Sequence, residues 1–176
     1  MDALHKKPLV VLLMGPTASG KTAFSLDLAE ALQTEIISVD SALVYREMDI
    51  GTAKPTQAET ARIPHHLIDI IDPSETYSTG QFRDQASLCI NNLIDRNKTP
   101  ILTGGTMLYF NSLTQGLAQL PPANAAIRAE LEQQMHSQGK LAMHEMLKQI
   151  DPDAAARIHM NDPQRIQRAL EVYRIT

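Results

Sequence analysis

Leu9-Val10-Val11-Leu12-Leu13-Met14 is an unbroken apolar run closed by Gly15-Pro16. A short run rich in β-formers and ended by a turn signal fits a strand buried on both faces, as in a parallel sheet. Residues 20 to 33 follow with Ala23, Leu26, Leu28, Ala29 and Leu32 at roughly helical spacing. Glu35 to Asp40 then reads as a second strand that ends in a carboxylate, and His66 to Ile70 as a weaker strand candidate. The stripe Phe82, Ala86, Cys89, Ile90, Leu93 predicts a helix over 79–96. Pro100 to Gly105 reads as another strand running into a turn, and Thr106 to Leu113 as the helix after it.

Strands that alternate with helices predict an α/β core with a mainly parallel sheet. The pattern changes at the breaker Leu120-Pro121-Pro122. Beyond it only helices are expected, over about 124–137, 140–149, 153–158 and 163–174, punctuated by Gly139, Asp151-Pro152 and Asp162-Pro163. Asp followed by Pro supplies an N-cap and a first helical residue with preset φ. The expected division is an α/β core over 1–120 and a small all-helical unit over 121–176.

Composition narrows this further. At 176 residues and 43% hydrophobic content the chain can bury one sizeable core, which excludes a disordered tail. The formal net charge of −4 argues against a protein that coats nucleic acid by bulk charge, while leaving a local basic patch open. A single cysteine, Cys89, excludes an internal disulfide scaffold and a Cys-only metal cage. The first residues are polar and the apolar run after them is too short for a signal sequence or a membrane span. A cytoplasmic protein without membrane association is expected.

The most specific chemistry lies in Gly15-Pro16-Thr17-Ala18-Ser19-Gly20-Lys21-Thr22. It matches G-x-x-x-x-G-K-[ST] between a predicted strand and a predicted helix, the context that a phosphate-binding loop requires. Glycines let successive N–H groups turn toward one anion, and the following helix adds its positive end. Lys21 supplies a cation for the phosphates, and the Thr22 hydroxyl suits Mg²⁺. The loop fixes a polyphosphate, not a reaction; a kinase, a nucleotide hydrolase and a transferase with a diphosphate leaving group all need it.

Two further features sit on the same expected edge of the sheet. Asp40 closes the second strand, where a carboxylate can take a proton from an incoming nucleophile or hold a metal-bound water. Asp40-Ser41 also suits a plain turn. Gly104-Gly105-Thr106 places a hydroxyl and free N–H groups at a strand end, or serves as an N-cap. No apolar run ends in Asp in the manner of a motor-type ATPase. His65-His66 point to opposite faces of a strand and make a poor metal pair, so a structural or hydrogen-bonding role is expected. Lys54 reads either as a phosphate contact or as a solvated side chain. Met135, Met143, Met146 and Leu147 read as core of the helical unit.

Taken together, Gly15 to Thr22, Asp40 to Tyr45, Met48 to Pro55, Pro64 to Asp69 with Tyr77, Ser78 and Phe82, Gly104 to Tyr109 and Asp162 to Glu171 resemble the bacterial tRNA dimethylallyltransferases. The resemblance runs in order through nearly the whole chain. It implies a P-loop-type three-layer core with a helical insertion, and an enzyme that transfers the dimethylallyl group of dimethylallyl diphosphate to the exocyclic N6 amine of an adenosine beside the tRNA anticodon. Mg²⁺ assists and diphosphate leaves.

The roles it implies are residue by residue. Gly15, Pro16, Thr17, Ala18, Ser19, Gly20, Lys21 and Thr22 hold the diphosphate, and Thr22 is a metal ligand. Asp40 is the base, and Thr106 sits by the bridging oxygen and the incoming adenine. Asp40, Ser41, Ala42, Leu43 and Thr106 line the adenosine side; Leu43 stands where relatives often carry Gln. The tRNA contacts map to Arg128, Gln164, Arg165, Ile166, Gln167 and Arg168. Arg165 and Arg168 share a helix face, which is equally the pattern of a solvated one. The base, in a single-stranded loop, would be extruded into a pocket.

A monomer is expected. The rival readings are a small-molecule or nucleotide kinase with ATP in the same loop, a prenyltransferase acting on free adenine nucleotides, and an inactive diphosphate-binding fragment. The last arises because relatives continue past the Gln164–Arg168 segment and return to the core, so the resemblance implies a C-terminally truncated chain.

Overall fold

The computed structural model describes residues 7–16, 18–118 and 120–176. They fall into two compact units that divide between Leu117 and Ala118. The first is built from β1 (Val11–Met14), α1 (Lys21–Ala31), β2 (Ile36–Val39), α2 (Gln57–Arg62), β3 (His65–His66), α3 (Thr79–Asp95), β4 (Ile101–Gly104) and α4 (Met107–Thr114). Its strands form one parallel sheet in the order β1-β4-β2-β3.

Alternation along the strands sorts the core into two layers. Ile36 and Ile101 face one way and pack with Leu26 and Ala29 of α1 and with Ile63. Ile37, Val39 and Leu102 face the other way, against Phe82, Ala86 and Leu93 of α3 and Tyr109 and Phe110 of α4. Helices thus cover both faces of the sheet, which is why β2 is buried along its whole length. Phe82 stacks on Tyr109 at 4.1 Å between centroids, locking α3 to α4.

Gly104 is where β4 meets β2 most closely. A Cβ on it would lie 2.0 Å from the Val39 carbonyl oxygen. Only glycine allows that approach, and it lets the Thr106 N–H reach the same carbonyl at 3.2 Å.

The second unit is α5 (Ala125–Ile150), α6 (Pro152–Arg157) and α7 (Pro163–Ile175). Leu131, Met143, Leu147, Ile166 and Leu170 form its core, with Met135 and Met146 packed against it. The two helices expected over 124–149 run together as α5, broken by Gly139 at φ 81°, ψ 161°. Asp151 and Asp162 cap α6 and α7, each with Pro at the first helical position. Among the described residues no helix is long and apolar enough to cross a membrane.

Three elements differ from the sequence reading. β1 is half-buried rather than buried on both faces, because it pairs with β4 alone at the edge of the described sheet. The weak strand over 66–70 is only the two-residue β3, because Leu67 (φ 62°) and Asp69 (φ 54°) are left-handed and turn the chain out of the sheet. The chain then regains a single parallel bridge, Tyr45 with Ile71. The short α2 had no expectation at all. It carries a full capping box, Thr56 with Glu59, which is a legible signal. Its six residues contain no buried position, so no apolar stripe announces it.

Candidate functional site

The phosphate-loop segment connects β1 to α1, as its motif predicts. Ala18 (φ 64°) and Gly20 (φ 81°) take left-handed conformations that curl the segment before α1 begins at Lys21. The unpaired N–H groups of the first helical turn therefore open toward the hollow of the loop. Lys21 Nζ reaches back over that hollow, donating to the Pro16 carbonyl and, at 3.2 Å, to Ser19 Oγ. Thr17 lies outside the described residues.

A cavity of about 460 Å³ extends from this loop along the ends of β2 and β4. Ala18, Ser19, Gly20, Lys21 and Thr22 line one side of it, and Asp40 and Leu43 line another. Asp40 Oδ1 accepts the Ala42 N–H at 2.9 Å, so the turn role and the cavity position coexist. Its Oδ2 has no hydrogen-bond partner among the described residues. Thr106 stands beside this turn rather than in the cavity lining. Its Oγ1 accepts the Ser41 N–H at 3.0 Å and lies 3.3 Å from Ser41 Oγ.

The far wall was not legible in the sequence. Thr52, Ala53, Pro55, His65 and Ile68 complete the cavity. Behind them Lys54 is buried rather than solvated, with its side chain only 8% exposed. Its ammonium donates to Asp69 at 2.5 Å, Asp49 at 2.7 Å and the Tyr45 carbonyl at 3.1 Å. Burial alone would lower its pKa, but the two carboxylates outweigh that and raise it, so the charge is retained. The Gly-Thr-Ala-Lys-Pro segment is thereby pinned as a wall.

The two histidines do separate jobs, as expected. His65 Nδ1–H donates to the Ile63 carbonyl at 2.7 Å, and burial lowers its pKa. His66 Nε2 meets Glu35 at 2.7 Å. Glu35 also takes Arg96 and Lys98. Led by the Arg96 contact, these partners outweigh desolvation and hold its carboxyl at about 2. This cluster sits before β2, at the end of the strand opposite Asp40, and belongs to the scaffold.

The residues expected to touch tRNA in the second unit differ in setting. Gln164 and Arg165 are exposed. Among the described residues Arg165 pairs only with Asp162, at 3.2 Å. Gln167 donates to the Arg128 carbonyl at 3.0 Å. Arg128 and Arg168 each keep a solvent-facing part while binding Glu171. Ile166 departs from the expectation: its side chain is fully buried in the helical core, so packing occupies it.

The arrangement joins a Gly-rich loop at a helix start, a lysine and a carboxylate with one open oxygen across a single cavity. A family model described as "IPP transferase" matches residues 43–176. The chain belongs to the IPP transferase family. Within that family it is 60% identical over 169 residues to a tRNA dimethylallyltransferase of Methylococcus capsulatus, covering 96% of this chain and 54% of that one. It is 58% identical over 174 residues to a tRNA dimethylallyltransferase of Ralstonia nicotianae, covering 99% and 54%.

Among solved structures, a full-length tRNA isopentenylpyrophosphate transferase of Bacillus halodurans superposes with a TM-score of 0.63 at 47% identity, covering 97% of this chain and 56% of that one. A eukaryotic dimethylallyltransferase acting on tRNA superposes with a TM-score of 0.79 at 32% identity, covering 94% and 41%. The chain spans about half the length of the curated relatives it matches. Its fold is that of its structural relatives, a P-loop-type α/β core with helices.

Proposed function

We propose that this chain carries the diphosphate and adenosine sites of a tRNA prenyltransferase. The substrates are dimethylallyl diphosphate and an adenosine in the anticodon loop of a tRNA. The observation that carries this reading is the shared cavity, in which the loop ending in Lys21 and Thr22 faces Asp40 and Leu43. Its relatives' names, tRNA dimethylallyltransferase and a transferase acting on tRNA, point to the same chemistry.

The loop from Gly15 to Thr22 holds the diphosphate by backbone N–H groups, with Lys21 facing the charge that develops as it leaves. Among the described residues no group of three His, Cys, Asp or Glu side chains could cage an ion. The Thr22 hydroxyl, on the cavity wall, is the oxygen donor that would hold Mg²⁺. Bound there, Mg²⁺ would neutralise the leaving diphosphate.

The adenine N6 lone pair attacks C1 of the dimethylallyl group, and the C1–O bond breaks with its electron pair going to diphosphate. The N6 proton passes to Asp40, whose Oδ2 is available for it. Thr106 and Ser41 hold the turn that presents this carboxylate, and Ala42 and Leu43 flank the adenine. The helical unit, through Arg128, Gln164, Arg165, Gln167 and Arg168, meets the tRNA.

The test is transfer of label from C1-labelled dimethylallyl diphosphate to unmodified tRNA in the presence of Mg²⁺. Label on N6 of the anticodon-loop adenosine is the expected result. Transfer to free AMP at an equal rate, or phosphoryl transfer from ATP in its place, would overturn it.

A further inference from the structure

Glu171 lies on α7 with no exposed surface, yet it is charged. Burial by itself would push its carboxyl up; Arg128, Arg168 and the Asn124 N–H outweigh burial and hold it at about 2. Oε1 accepts the Asn124 N–H at 2.7 Å and Arg128 Nε at 2.9 Å. Oε2 accepts Arg168 Nη1 at 2.6 Å. Arg168 Nη2 continues to the Pro121 carbonyl at 2.7 Å, and Gln167 donates to the Arg128 carbonyl at 3.0 Å.

The consequence is geometric. Arg128 spends its Nε inward and Arg168 its Nη1 and Nη2, so each guanidinium plane is fixed while part of each side chain stays in solvent. Arg128 keeps 48% of its side-chain surface exposed and Arg168 keeps 32%. The Nη1 and Nη2 groups of Arg128 have no partner among the described residues. Two guanidinium groups this close would repel each other without the anion between them. A preset fork is what a planar, bidentate phosphate contact requires.

We infer that Glu171 is a positioning residue: its buried carboxylate holds Arg128 and Arg168 as a fixed, outward-facing pair for the phosphate backbone of the RNA substrate. This rests on the RNA reading of the helical unit given above.

Bulk charge and positioning make opposite forecasts. Glu171→Gln makes the chain one charge less negative, which by bulk electrostatics alone tightens RNA binding. A positioning role weakens it. The experiment titrates the 176-residue chain with an anticodon stem-loop RNA by fluorescence anisotropy across a salt series, with inorganic diphosphate binding measured in parallel.

For Glu171→Gln the expected result is about tenfold weaker RNA binding and a salt slope shallower by about 1, one phosphate contact's worth. Diphosphate binding stays as in the wild type. In an Arg128→Ala/Arg168→Ala background, Glu171→Gln should cost nothing more. Arg128→Lys, which keeps the charge and loses the fork, should weaken binding as Arg128→Ala does; it carries the test if circular dichroism shows that Glu171→Gln does not fold. RNA binding by Glu171→Gln that equals or exceeds wild type overturns the inference, as does wild-type affinity in Arg128→Lys when Arg128→Ala is weakened. If wild type fails to bind, or Arg128→Ala and Arg168→Ala bind like wild type, the RNA reading of these arginines falls and the inference with it.

Discussion

Thr106 Oγ1 accepts the Ser41 backbone N–H at 3.0 Å across a sequence separation of 65 residues. The bond ties the turn after β2 to the start of α4, beyond the end of β4, and Asp40 is the residue immediately before it. Because Gly104 lets β4 close on β2, and Thr106 N–H also binds the Val39 carbonyl, the carboxylate is held from two sides. Such fixed placement is what a proton acceptor needs, since transfer depends on hydrogen-bond distance before it depends on acidity.

Asp40→Asn should remove the proposed proton acceptor while keeping the bond to Ala42 N–H. Prenyl transfer is expected to fall by about 10²–10⁴-fold. Diphosphate affinity, read by calorimetry, should change little. A matching loss of diphosphate binding would count against the base assignment.

Lys21→Ala should act in the opposite way. It removes the cation over the loop hollow, so diphosphate affinity should drop at least about tenfold, as expected for a lost charged contact of about 1.5–3 kcal/mol. The thermal midpoint should hardly move, because Lys21 supports no core contact. Calorimetry and a melting curve on one sample check both halves.

Gly104→Ala should damage the fold itself. The added methyl would meet the Val39 carbonyl oxygen at 2.0 Å, and that oxygen is backbone, which cannot rotate away. A destabilisation of about 3 kcal/mol or more is expected, read from urea unfolding. Gly51→Ala offers a contrast: nothing lies within 4 Å of its Cβ, so only its positive φ of 78° is strained.

Acid should loosen both units through two carboxylates. Glu35 and Glu171 are each held at about 2, below the usual 4.5. A depressed folded-state value means the contribution is complete above about 4.5 and is lost as pH falls from there toward 2. Glu35→Gln should flatten the stability curve of the wild type over that window; an unchanged acid limb in urea midpoints would refute the assignment.

Lys54→Ala should unpin the 48–55 wall. Its buried ammonium gathers Asp49, Asp69 and the Tyr45 carbonyl, so removal leaves two carboxylates facing each other. The expected kinetic signature is a raised KM for the prenyl donor with a smaller change in kcat, because Asp40 lies on the other wall. A fall in kcat alone would argue against it.

What could be read from the chain was what depends on near neighbours. The phosphate loop is a local turn fixed by glycines and one helix start, so its motif and placement were legible. So were the caps of α6 and α7, where Asp and Pro act within three residues. The apolar run of β1 announced a strand, but not that it would lie half-buried at the edge of the described sheet.

Tertiary structure decided the rest, because desolvation and pairing depend on residues far apart in sequence. The order β1-β4-β2-β3 puts β4 beside both β1 and β2, and so sets Thr106 against Ser41. Lys54 looks like any surface lysine until the chain near Tyr45 and Asp69 folds over it. Arg128 and Arg168 look like two solvated cations until α5 and α7 close on Glu171, 43 residues from the first of them. An arginine's identity is written in the sequence, but the direction its guanidinium faces is set by an anion that only the fold can bring to it.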